Sequence, residues 1–264
     1  MWLFTHVKLS LFLALIFLLA LPIPSRSDDS GYRLLKLDGY RLKWGEQQLG
    51  VGATVSYAFA MDSLSFDAAL NCGDLASIEL LSSEDISIET LLRESAEAFR
   101  IWEQAAGLRF HRVADAEGAD IIIGAQGQPM GRAFANVSYS DDLQDGVRRI
   151  ERSLICLNPE QKWKSGFDGD TSIYDLRYTL VHEIGHAIGL DHPGPSGQVM
   201  GFRYTEAFSD LQPGDVAGAR RLYGSALAGA ELAYDSDLSL SGKATNQAYI
   251  NNLLIGEDDI PEVY

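Results

Sequence analysis

The stretch His182-Glu183-Ile184-Gly185-His186-Ala187-Ile188-Gly189-Leu190-Asp191-His192 decides how this chain is read. Residues four apart on a helix share a face, so a helix here points His182 and His186 at one ion. Glu183 lies beside His182 and reaches a water held on that ion. Gly189 follows His186 by three residues. It adopts backbone conformations that other residues avoid, so the chain can leave the helix and turn sharply. That turn is expected to return His192 as a third ligand. Three neutral imidazoles suit zinc and leave one coordination position for water. A zinc-bound water has a pKa near about 7. Glu183 is the expected general base, activating that water against a peptide carbonyl and passing the proton to the departing amine.

The chain has five histidines, and three of them fall in this stretch. His6 lies near the start, and His111 sits in an expected strand, where a structural role is the simpler reading. A zinc site that only braces a fold tends to use four protein ligands, often cysteines. Here three histidines leave a position free, which favours a catalytic ion. Two functions remain in play: an endopeptidase acting on protein or peptide substrates, and a non-catalytic zinc-containing binding or inhibitory protein. Loss of the glutamate would mark the second, and Glu183 is present.

Outward from the motif, Asp168-Gly169-Asp170 offers helix-starting chemistry, and the helix is expected from about Ile173 to Leu190. Upstream, Ile86–Ala105 is amphipathic, with Leu91, Leu92, Ala96, Phe99 and Trp102 at helical spacing. Ala53–Phe59, Leu108–Val113, Asp120–Ala125, Ala133–Tyr139 and Arg152–Leu157 read as strands. Residues 61–85 read as a loop insertion. Pro213 and Asp215 suit the start of a last helix, Val216–Leu222, closed by Gly224. The pattern is α+β, with about five strands in the sheet. Residues 225–264 form an acidic tail.

The N-terminus differs from the rest. Lys8 precedes the apolar run Leu9–Leu21, then Pro22, Pro24 and Ser25-Arg26-Ser27. This is signal-peptide architecture, with cleavage expected after Ser27. The run is shorter than the roughly 20 residues of a spanning helix, so no stable membrane span is expected after cleavage. Location is thus secreted or periplasmic. The formal net charge is -16, which disfavours nucleic acid as a partner because phosphates are repelled. A monomer is expected.

An oxidising compartment makes a disulfide between the two cysteines, Cys72 and Cys156, a natural reading. Two unrelated thiols, or a Cys72 that masks the zinc, are the alternatives. Asp141, Asp142, Asp145, Asp168 and Asp170 fall in expected loops. They suit a structural calcium ion or are plain solvated turn acids. Asn136-Val137-Ser138 fits a glycosylation acceptor.

The motif His182–His192 resembles the signature of the metzincin zinc metallopeptidases. Val199-Met200-Gly201 looks like their Met-turn, in which Met200 would lie beneath the metal as an apolar floor. Met200 follows His192 by eight residues, a spacing similar to the matrixin branch, the matrix metalloproteinase-like peptidases. Leu211–Gly224 resembles the matrixins' closing helix, and Lys43-Trp44 with the early strand is similar more weakly. The resemblance spans about residues 40–224 and implies a catalytic domain over residues 28–224. That domain would be a twisted mixed sheet packed with a long helix and an active-site helix, then the Met-turn and C-terminal helix. Some metzincins place a tyrosine just past the Met-turn that ligates zinc or steadies the oxyanion; Tyr204, four residues after Met200, is a candidate for that role, and a packed or pocket-wall tyrosine is the simpler reading. Residues 201–210 would line the specificity pocket.

Three features depart from the pattern. Pro193 after His192 looks more like the serralysins, but their calcium repeats are missing. The histidines of the matrixins' second zinc are missing. Cys72-Gly73 lies outside the Pro-Arg-Cys-Gly context of a masking propeptide. The whole looks like a compact bacterial member.

Overall fold

The computed structural model describes residues 31–127 and 131–226. The expected signal segment 1–27 lies outside the described residues, as does all but the start of the expected tail, 225–264. Nine main elements order the fold. They are β1 (Tyr40–Lys43), β2 (Ala53–Phe59), α1 (Ile88–Ala105), β3 (Leu108–Arg112), β4 (Ile121–Ala125), β5 (Ala133–Gln144), β6 (Val147–Leu157), α2 (Leu176–Ala187) and α3 (Pro213–Tyr223). With the short strand Lys36–Leu37 the main sheet has seven strands, where about five were expected. The two extra strands come from the segment up to Lys43, whose short runs carry no clear alternation.

The sheet is mixed. β6, β4, β2 and β3 lie side by side in that order and are parallel. β1 pairs in parallel with the start of β6, on the same flank as β4. β5 runs antiparallel along the opposite flank of β6 and forms the sheet's edge. Parallel strands covered on both faces are apolar throughout, and β4 (Ile121-Ile-Ile-Gly-Ala125) is buried at every position.

Successive side chains on a strand point to opposite faces, so the sheet has two cores. Val55, Tyr57, Phe59, Phe110, Ile121, Ile123, Ile155 and Leu157 join α1 and α2 in the larger one. Ala58, Ala60, Ile122, Leu154 and Cys156 face the other way, against Cys72 and Leu75. The segment read as a loop insertion covers this second face. It contains a small hairpin, Leu64–Ser65 with Asp74–Leu75, and a 3-10 turn at Ile78–Leu81. Cys72 and Cys156 are joined in a disulfide across the second core, with Cα atoms 5.4 Å apart. That pairing is incompatible with a masking role for Cys72.

α1 is capped by the Ser87 side chain, which accepts the Thr90 N–H. It lays Leu91, Leu92, Phe99 and Trp102 on the sheet and on α2. Phe99 stacks on Tyr57 at 4.1 Å between ring centroids and meets Phe110 at 4.8 Å. Two expectations about the loops are corrected. β5 and β6 are longer than expected and close through a two-residue turn. Asp145 and Gly146 both take positive φ, 51° and 74°, the geometry that Asp-Gly favours in tight hairpins. Asp141 and Asp142 therefore lie on β5, and Asp145 makes the turn.

The helices are also tied by charge. Glu94 of α1 is buried and accepts from Arg177 of α2 at 2.6 Å and from Ser165 at 2.8 Å. Burial pushes the Glu94 carboxyl up, but the Arg177 and Ser165 hydrogen bonds and the Arg177 charge outweigh it and hold the group below its ordinary value. A depressed carboxyl adds stability above the ordinary carboxylate pKa and loses it as pH falls through the lowered value. The stability difference between wild type and Glu94→Gln should therefore be widest near neutrality and shrink below about pH 4, read by urea unfolding across pH. The disulfide closes a sequence separation of 84 residues. Cys72→Ser with Cys156→Ser should cost about 2–5 kcal/mol and lower Tm by roughly 5–15 °C in calorimetry.

Candidate metal centre and cleft

α2 is placed by its ends. Its N-cap is Asp175, whose Oδ1 accepts the Tyr178 N–H at 2.7 Å while Oδ2 accepts the Gly166 N–H at 2.6 Å. This corrects the expected start at Ile173 after Asp168-Gly169-Asp170. Those two carboxylates accept hydrogen bonds within their own turn, and Lys164 donates to the Asp168 carboxylate and to the Asp170 main-chain carbonyl. The helix stops at Ala187, short of the expected Leu190. The last carbonyls of a helix lack partners within it. Here Trp44 Nε1 donates to Ala187 O at 2.9 Å and Tyr223 Oη donates to Ile188 O at 2.7 Å.

The turn follows at once. Gly189 has φ +98°, and a Cβ there would collide with the Leu42 carbonyl oxygen. Only glycine takes this conformation at such close approach. Leu35 N–H donates to Gly189 O at 2.8 Å, and Leu190–Asp191 pairs antiparallel with Arg33–Leu34. Asp191 is half-buried. Its carboxylate meets Arg33 Nε at 2.9 Å and accepts the His192 N–H at 2.8 Å. The segment before β1 thus fixes the approach of the third histidine, a role with no signal in its sequence.

The three imidazoles converge. Nε2 of His182 lies 3.0 Å from that of His192 and 3.2 Å from that of His186, and the last two are 3.1 Å apart. His182 Nδ1 donates to Val199 O at 2.7 Å, and His186 Nδ1 donates to Leu190 O at 2.9 Å. Each of these bonds places the proton on Nδ1 and leaves the Nε2 lone pair facing inward. Burial above all lowers the pKa of the three rings, that of His186 to about 4. Neutral rings with facing lone pairs repel one another unless a cation lies between them. Zinc–nitrogen bonds of about 2.0–2.1 Å in a tetrahedron hold nitrogens about 3.3 Å apart, close to the spacing found. The residues fit the ion, and they are the one cluster of potential metal ligands among the described residues.

Glu183 is buried and lines the same cleft as the histidines. Burial pushes its carboxyl up to about 7, against the pull of the Arg132 guanidinium. Met200 packs under α2, where a Cβ on Gly185 would run into its sulfur. The Val199–Met200 segment is clasped from α3. Asp215 accepts Val199 N–H at 2.8 Å and Met200 N–H at 3.1 Å, and Gln198 Oε1 accepts Gly214 and Asp215 N–H in return. In the sequence Asp215 shows only as a helix starter, because its two targets lie fifteen and sixteen residues away.

Tyr204 is not among the residues that line the cleft with the histidines. Its hydroxyl accepts the Asp175 N–H at 2.9 Å and donates to Glu206 at 2.8 Å, and its ring meets Tyr174 and Tyr178 edge-on. It braces the start of α2. Of the loop 201–210, Phe202 lines the cleft, beside His192 at 6.1 Å between rings. The five aspartates offered for calcium do not gather at one point. Asp141 leans toward Arg148, Asp145 is in the hairpin turn, and Asp168 and Asp170 serve Lys164 and local backbone. His111 is an exposed strand residue.

The cleft encloses roughly 610 Å³. One wall is β5 from Ala133 to Val137, the edge strand of the sheet. The other is α2 and the turn to His192, and Leu35 and Leu37 line the cleft as well. Among the described residues no helix is long and apolar enough to cross a membrane.

Comparison with known proteins agrees with this architecture. The matrixin family model matches residues 77–224, more than half of the chain. A hatching enzyme of Paracentrotus lividus is 28% identical over 156 residues, 54% of this chain and 24% of that protein. Matrix metalloproteinase-19 of Mus musculus is 30% identical over 138 residues, 48% of this chain and 24% of its own length. Matrilysin of Mus musculus is also 30% identical over 138 residues, covering 48% of each chain. The matched region thus spans between about a quarter and a half of these relatives.

Proposed function

Because this chain belongs to the matrixin family, we propose that it is a secreted zinc-dependent endopeptidase with His182, His186 and His192 as metal ligands and Glu183 as general base. Matrixins are zinc metalloendopeptidases and mostly extracellular. The observation that carries the reading is the convergence of three Nε2 atoms within 3.2 Å in a cleft that also holds Glu183. Export through residues 1–27, a catalytic domain over residues 28–224 and a bacterial source complete the proposal and rest on the sequence.

When bound, zinc supplies Lewis acidity, which acidifies a water and polarises a carbonyl. The chain's own residues do the rest. Carbonyls of Val199 and Leu190 fix two rings in the tautomer whose lone pair faces the ion. Glu183 takes a proton from the attacking water and delivers it to the leaving amine. Its place in the cleft beside the histidines puts it within reach of both groups. β5 offers an unpaired strand edge to an extended peptide, whose backbone gains hydrogen bonds without regard to sequence. Met200, clasped by way of Asp215, gives the site an apolar floor under α2 and resists movement of Val199.

Glu183→Gln should lower the rate on fluorogenic peptides by about 10²–10⁴-fold while zinc content stays near one per chain. His186→Ala should lose the zinc as well, read by elemental analysis of the purified chain. Equal turnover by wild type and Glu183→Gln ends the mechanism, and stoichiometric zinc in His186→Ala ends the ligand assignment.

A further inference from the structure

One cation in the cleft touches the chemistry above only through its charge on Glu183. Arg132 immediately precedes β5 and lines the cleft together with Glu183 and His186. It is the one lysine or arginine to do so among the described residues. Its guanidinium carbon lies 5.3 Å from the ring centroid of Tyr174 and 5.7 Å from that of Tyr204. Two aromatic rings lie against the group and supply no hydrogen-bond acceptor comparable to a carboxylate. Its Nε is buried and has no hydrogen-bond partner among the described residues.

The neighbouring acids are committed elsewhere. Glu206 serves Lys164, the Tyr204 hydroxyl and the N–H groups of Asp168 and Gly169. Asp175 caps α2, Asp191 is paired with Arg33, and Glu183 is the general base. The adjoining residues Gln128, Pro129 and Met130 carry no charge. Arg132 borders the open cleft, and the fork of a guanidinium suits a carboxylate with two parallel bonds. The chain around it is strongly acidic, net -16, so long-range charge does not favour an acidic ligand and the preference must come from this one residue.

We propose that Arg132 forms a carboxylate-recognising subsite, so that preferred substrates carry an aspartate or glutamate side chain within two residues of the scissile bond. The statement rests on the endopeptidase reading for the word substrate, but the subsite itself is a binding feature. Arg132 touches the peptide, not the reacting atoms, and sets specificity.

Two measurements separate the subsite from the catalysis. In the first, wild type, Arg132→Leu and Arg132→Lys digest a proteome-derived peptide library, and cleavage sites are read by mass spectrometry. Matched glutamate and glutamine peptides then give ratios of kcat/KM. Wild type should favour glutamate by about tenfold or more, Arg132→Lys should keep part of that preference, and Arg132→Leu should abolish it. In the second, the zinc-loaded Glu183→Gln chain selects binders from a random peptide mixture, with and without Arg132→Leu. Acidic residues should be enriched at one position only when Arg132 is present. Cleavage with no acidic preference, or a preference that survives Arg132→Leu and its binding counterpart, overturns the subsite and leaves the peptidase reading intact. Absence of cleavage with Arg132-dependent acidic binding does the reverse. If Arg132→Leu fails to fold, Arg132→Gln, which keeps a polar side chain and removes the charge, stands in its place.

Discussion

Three imidazole lone pairs aimed at one point repel each other, and the rest of the structure can be understood as what holds them there. His182 and His186 are held by helical spacing, and each is locked by a backbone carbonyl on its outer nitrogen. His192 comes from outside the helix and depends on the backbone between. Gly189 makes that possible, because its positive φ brings the chain against the Leu42 carbonyl, where no side chain fits. A site preassembled in this way has little to reorganise when a cation enters, and rigid placement is what metal chemistry needs from a protein.

The supports come from distant parts of the chain. Trp44 and Tyr223 take the last carbonyls of α2, so the residue after β1 and the end of α3 meet at the turn. Asp215 and Gln198 exchange hydrogen bonds between α3 and the segment that bears Val199, whose carbonyl fixes His182. Arg33 and Asp191 do the same from the N-terminal side. At the other end, Asp175 caps α2 while Tyr204 takes its N–H. Helix position, the three histidines and the closing helix are therefore one mechanical unit. The disulfide and the small hairpin lie on the opposite face of the sheet, where they add stability away from the histidines.

The cleft inherits its character from the sheet's edge. β5 has backbone to offer an extended chain. Backbone pairing alone does not discriminate. Selectivity must come from side chains at the rim, and Arg132 is the one cation there, with a buried donor left unpartnered among the described residues. A guanidinium packed against two tyrosine rings loses freedom, and its fork selects by geometry as well as charge.

Local features are legible along the chain. The four-residue spacing of His182 and His186, the glycine three residues on, the alternation of Ala53–Phe59 and the apolar run Ile121–Ile123 each follow from the period of a helix or strand. The matrixin likeness was legible for the same reason, since its motif is contiguous. Boundaries were read less well. Asp168-Gly169-Asp170 has helix-starting chemistry, yet Tyr204, Gly166 and Tyr178 made Asp175 the cap instead. Only the tertiary structure decided the partners brought together across long separations. Among them are Asp215 beneath Met200, Trp44 on the end of α2, Arg33 at the third histidine and Arg132 beside Glu183. A single polar residue carries no periodicity, so nothing in its neighbourhood along the chain says which buried donor or charge it will meet.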